Sequence, residues 1–141
     1  MKMLLAAAAL LGLCAPVLAQ PVSAPQYFGA TPVTASAVGT TAATTATIPA
    51  VTGKTAFLCG FSIRANATAA ATGNATVTGL KTGTLNFTQW TAPLASGVGI
   101  VEPSLGAACV AASGQNTGIA VVSAAPGAGG TVSVSAWGFY L

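Results

Sequence analysis

The run Lys54–Ala65 (KTAFLCGFSIRA) sets the strongest constraint on the fold, because it combines aromatic and branched side chains with a period of two. Side chains that repeat at every second position line one face of a β-strand, whereas a helix repeats at 3.6. Read as an unbroken strand, Phe57, Cys59, Phe61 and Ile63 share one face, and Leu58, Gly60, Ser62 and Arg64 share the other. The same alternation returns at Thr131–Leu141, where Val132, Val134, Ala136, Gly138 and Tyr140 oppose Thr131, Ser133, Ser135, Trp137, Phe139 and Leu141.

Between these two runs lie shorter apolar pieces separated by glycine and proline. Strands are expected at Thr44–Pro49, Asn74–Leu80, Thr84–Trp90, Val98–Glu102, Leu105–Ala111 and Thr117–Ala124. Lys81-Thr82-Gly83 reads as the turn of a hairpin between the second and third of them. No stretch beyond the N-terminus carries a helical period. The expectation is an all-β fold, an antiparallel β-sandwich that is jelly-roll-like, with about seven or eight strands.

Domain boundaries follow from composition. Met1–Ala19 has a basic start at Lys2, an apolar stretch from Met3 to Leu13 and a small residue before Gln20, the layout of a secretory signal peptide. Its apolar part is shorter than the roughly 20 residues needed to span a bilayer. Lipidation at Cys14 is the alternative, but Leu13 stands where a small residue is wanted and Pro16 favours later processing. Gln20 to Ala43, rich in Pro, Ala, Thr and Ser, is expected to be a flexible N-terminal arm, since it offers little apolar area against ordering entropy. The β-sandwich domain is expected over 44–141. A secreted or periplasmic, cell-surface location follows, with no membrane span.

Cys59 and Cys109 are the only cysteines beyond the leader. In an exported domain they most economically form one disulfide. Closing a loop of about 50 residues removes about 4 kcal/mol of unfolded-chain entropy in the loop-closure account.

The residues needed for catalysis are scarce. The chain has no histidine and one acidic residue in all, Glu102. Paired-carboxylate hydrolysis and a Ser-His-Asp triad are therefore excluded by count. There is no S-x-x-K, G-x-S-x-G, P-loop or dinucleotide fingerprint, and no ligand set for a metal. No catalytic residue and no cofactor are expected, which argues against an enzyme. Beyond the leader the charges are Lys54, Arg64, Lys81 and Glu102, too few and too scattered to bind nucleic acid. Arg64 and Glu102 are a possible ion pair across strands, or two separately solvated charges.

Two tryptophans remain. Trp137, in the last strand beside Phe139 and Leu141, is expected in the core. Trp90, at a strand end next to a loop, either fills the core or is exposed as a possible ligand-binding residue for a surface glycan. Three N-x-T matches at Asn66, Asn74 and Asn86 carry little weight in a threonine-rich chain. With so little charge, sheet edges lack their usual guards, and a homo-oligomer is expected.

FLCGFSIRA, the VAASGQNTGIAVV that follows Cys109, and the ending TVSVSAWGFYL resemble a set of small β-sandwich proteins of bacteria and tailed phages. The likeness covers about Ile48–Leu141 and implies a virion- or surface-associated structural role without naming a ligand. The closing strand, with Tyr140 next to last, is also similar to that of chaperone–usher pilin subunits. That resemblance implies an arm from Val22 to Thr47 donated to a neighbour's sheet. The chain thus reads as a secreted, non-enzymatic structural protein that self-assembles, with a glycan-binding module and a pilin-like subunit as alternatives.

Overall fold

A computed structural model describes residues 29–67, 73–90, 97–106 and 109–141. The expected signal peptide, Cys14 and the expected arm as far as residue 28 lie outside the described residues. Among the described residues all regular structure is β: β1 (Thr31–Gly39), β2 (Thr44–Ile48), β3 (Ala56–Ala67), β4 (Gly73–Thr78), β5 (Leu85–Trp90), β6 (Gly97–Val101), β7 (Val110–Ala111), β8 (Ile119–Ser123) and β9 (Thr131–Tyr140). No helix among the described residues is long and apolar enough to cross a membrane.

The strands form two antiparallel sheets. Sheet A runs β1-β9-β3-β6, with the short β7 also paired to β3; sheet B runs β2-β8-β4-β5. The pairs β1/β9, β2/β8, β3/β6 and β4/β5 are nested, as if one long hairpin had been rolled up. The innermost pair is the expected hairpin, closed where Gly83 N–H donates to Leu80 O at 3.1 Å.

The N-terminal arm expected over 20–43 needs correction. Thr31–Gly39 is a strand paired with β9 along its whole length, from Thr31↔Tyr140 to Gly39↔Val132. The reason is backbone pairing rather than large side chains. Val33, Ala35 and Ala37 alternate inward and pack against the core, while Thr34, Ser36 and Val38 face out. Small residues bury little area each, but nine consecutive residues in register bond the β9-facing half of their backbone groups to a preformed neighbour. The sandwich therefore begins at Thr31, not at 44. Much of the segment that the pilin resemblance offers for donation is thus engaged at home, on β9 and β8.

The face assignment of β3 also needs correction. Leu58 pairs with Gly138, and Gly60 with Trp137, the next residue along β9, which leaves Cys59 as the extra residue of a β-bulge. One inserted residue reverses the alternation. Ala56 and Leu58 point into the core before the bulge, and Phe61, Ile63 and Ala65 do so after it. Phe57 and Cys59 consequently do not share a face with Phe61 and Ile63. Glycine at 138 permits the bulge, because a Cβ there would collide with the Phe57 carbonyl.

The core lies between the sheets. Leu58, Phe61, Ile63, Val132, Val134 and Ala136 of sheet A meet Ala46, Ile48, Ala75, Val77, Ile119 and Val121 of sheet B, all fully or almost fully buried. Phe61 meets Phe87 of β5 edge to face, with ring centroids 5.1 Å apart. Tyr140 ties the sheets at one end, its hydroxyl donating to Pro49 O at 2.9 Å, and burial raises its phenol pKa above the ordinary value.

Candidate functional site

The sheet register lays the outward side chains of sheet A in rows across β1, β9 and β3. Pro32, Phe139 and Phe57 form the first row and Thr34, Trp137 and Gly60 the second. Ser36, Ser135 and Ser62 make the third, and Val38, Ser133 and Arg64 the fourth. One end of the face is thus aromatic, the middle carries hydroxyls, and the far end is charged.

At the aromatic end, Phe57 and Phe139 stack with ring centroids 4.9 Å apart and planes 11° from parallel. Trp137 lies beside them. It is not in the core, as expected from its apolar neighbours, but 40% exposed on the outer face. The two faces of β9 divide as expected, but alternation does not say which of them is inward. In β9 the small residues Val132, Val134 and Ala136 face the core, and the large aromatics Trp137 and Phe139 face outward. The interior is already filled by Phe61, Leu58 and the branched residues of sheet B.

Gly60 seats the indole. A Cβ at this position would lie 2.6 and 2.8 Å from the Cζ2 and Cε2 atoms of Trp137, closer than atoms can pack. The ring therefore rests over bare backbone, the arrangement by which an aromatic covers a cross-strand glycine. Its N–H has no hydrogen-bond partner among the described residues.

At the charged end, Arg64 and Glu102 are brought together. Glu102 Oε1 accepts from Arg64 Nη2 at 2.9 Å, from Arg64 Nε at 3.3 Å and from Ser62 Oγ at 2.9 Å. The hydrogen bonds from Arg64, and then from Ser62, hold the Glu102 carboxyl below its ordinary pKa. Both partners remain open to water, with the side chains 63% and 44% exposed. Arg64 is the one charged residue inside any of the nine strands.

The disulfide joins Cys59 and Cys109 with Cα atoms 4.1 Å apart, as expected for the two mature cysteines. It bonds the bulge residue of β3 to the residue just before β7, whose backbone is left-handed at φ 39°. Leu105 N–H also donates to Cys59 O at 3.1 Å, and Ser104 bridges to Gly60. The crosslink thus fixes the backbone on which Trp137 rests. Trp90 is elsewhere: it ends β5 opposite Gly73 in sheet B, and its side chain lies outside the described residues. Sequence reasoning singles out Arg64, Glu102, Cys59 and Cys109 but misses Trp137 as a surface residue. The signal available is Gly60, whose position opposite a tryptophan becomes visible only once the register is known.

No protein-family model matches the chain, and no curated protein or solved structure matches it.

Proposed function

We propose that this chain is an exported, non-enzymatic structural protein, a jelly-roll unit that assembles with copies of itself on a cell or particle surface. The nested strand pairing supports the jelly-roll reading, since two four-stranded sheets filled from one rolled hairpin are its defining topology. By analogy of fold alone, such units build capsids and lectins. The leader at Met1–Ala19 supports export.

One observation carries assembly. The edge strands are β1, β6 and the short β7 in sheet A, and β2 and β5 in sheet B, and none of the five contains a Lys, Arg, Asp or Glu. Soluble β-proteins ordinarily protect such edges with charges, prolines or bulges, because an open row of N–H and C=O groups templates pairing with another chain. Pro32 guards the start of β1 and a bulge at Gln89 the end of β5, whereas β2 carries no guard of any of these kinds. Moreover, β1 and β2 are joined by residues 40–43 and lie against each other, so a copy docking on that side extends both sheets together. Strand donation in the pilin manner is not proposed, because Thr31–Gly39 already completes its own sheet.

Light scattering on the processed chain tests this reading. Its mass is expected to rise with concentration, and Thr45→Lys with Thr47→Lys on β2, both exposed, should lower it toward the monomer. A constant monomer mass up to high concentration contradicts the proposal.

A further inference from the structure

We propose that the outer face of sheet A binds a neutral oligosaccharide, one ring stacking on Trp137 while Arg64 and Glu102, farther along the face, take the hydroxyls of another. This goes beyond assembly, which uses the edges and not this face. Three features of the face point to that ligand.

The first is the indole. Trp137 is exposed, and it is held flat because Gly60 offers no Cβ to lift it. A sugar ring has an apolar C–H face and a rim of hydroxyls, and it matches an exposed aromatic that is backed by rigid structure. The disulfide at Cys59 and the bulge fix this backing before any ligand arrives. Preorganisation of this kind lowers the entropic cost of binding.

The second is the unused hydrogen-bonding capacity two rows farther along the face. All three hydrogen bonds to Glu102 fall on Oε1, leaving Oε2 as an acceptor, and Arg64 has Nη1 available as a donor. An acceptor and a donor side by side suit a pair of neighbouring hydroxyls. Successive outward residues of a strand are spaced about 7 Å apart, so the Ser62 row follows directly on the Trp137 row. A short oligosaccharide lying along β3 meets the aromatic end first, then the serine hydroxyls, then the ion pair.

The third is charge. Arg64 and Glu102 cancel one another, Lys81 stands in the turn between β4 and β5, and Lys54 donates from Nζ to Thr31 Oγ1 at 3.2 Å, at the first residue of β1 and outside the four outward rows. A net-neutral face favours an uncharged sugar over an acidic one. It also disfavours a second protein copy as occupant, since docking a sheet here would take the exposed ion pair out of water at a cost that its attraction does not reliably recover.

The experiment is retardation of the processed chain in native gels cast with neutral polysaccharides (a glucan, a mannan, a galactan and a xylan). Titration with the matching hexasaccharides then gives affinities. Wild type is expected to be retarded by at least one of them and not preferentially by an acidic polysaccharide run alongside. Trp137→Ala should weaken binding at least tenfold and Trp137→Phe much less, while Glu102→Gln, in a solvent-exposed side chain that leaves packing intact, should weaken it several-fold. No retardation by any of the four polymers overturns the proposal, as does Trp137→Ala binding like wild type, or stronger retention by the acidic polymer. Oligomer mass measured on the same variants separates the two readings: Trp137→Ala should change sugar binding without changing mass, and a change in mass alone overturns the saccharide site.

Discussion

The outer faces of the two sheets are built differently although both sheets share one core. Among the described side chains, sheet B shows Thr45 and Thr47 of β2, Ala120 and Val122 of β8, Asn74, Thr76 and Thr78 of β4 and Asn86 of β5, with no charge and no large aromatic. Sheet A shows Trp137, Phe57 and Phe139 at one end and Arg64 with Glu102 at the other. The difference arises in β3 and β9. The bulge at Cys59 turns Phe57 outward, and a core filled by Phe61 and Leu58 leaves the aromatics of β9 outside. A bland face suits close packing, and a patterned one suits recognition.

If this contrast holds, substitutions in the shared core should harm both sheets and substitutions on one face should leave the other alone. The largest effect is expected from Phe61→Ala, which removes a fully buried ring that touches both sheets and should cost about 3–5 kcal/mol in urea unfolding. Next comes the crosslink. Replacing Cys59 and Cys109 together by alanine should cost about 2–4 kcal/mol and weaken sugar retention, while the sheet B edge variants still dissociate the oligomer. Gly60→Ala should then cost about 1–3 kcal/mol by forcing the indole off the backbone, an effect visible as a shift in tryptophan emission.

The smallest effect is a dependence on acid that sharpens the comparison, because Glu102 is the one side-chain carboxylate of the chain. Its folded pKa lies below the ordinary value, so the folded state binds its proton less readily than the unfolded one. The stabilisation is complete above the unfolded carboxylate pKa and is lost as pH falls through the folded one. Wild type should therefore lose a little more stability than Glu102→Gln between neutral and strongly acidic pH. A difference of the opposite sign would mean that the carboxylate is not held by Arg64 and Ser62 when folded.

Much of the fold is legible in the sequence, because alternation and turn residues are local. The all-β class, the hairpin around Lys81–Gly83, the two faces of β9 and the pairing of the two cysteines all follow from residues close in sequence or from counting. What stays hidden depends on register. Thr31–Gly39 contains no large residue and becomes a strand only because β9 presents a free edge to it. The bulge at Cys59 inserts one residue, and nothing in FLCGFSIRA marks which residue lacks a partner. Apolar neighbours argue for a buried Trp137, yet whether a face is inward is settled by the opposing sheet. The tryptophan that the sequence singles out for binding, Trp90, and the one exposed on the outer face of sheet A belong to different sheets.

The most direct test of self-assembly is amide hydrogen exchange of the edge strands at low and high protein concentration. An assembling unit should show protection of β1 and β2 amides rising with concentration, while β3 and β9, already paired on both sides, stay unchanged. Edge amides that exchange at the same rate at every concentration would mean that these strands meet water and not one another.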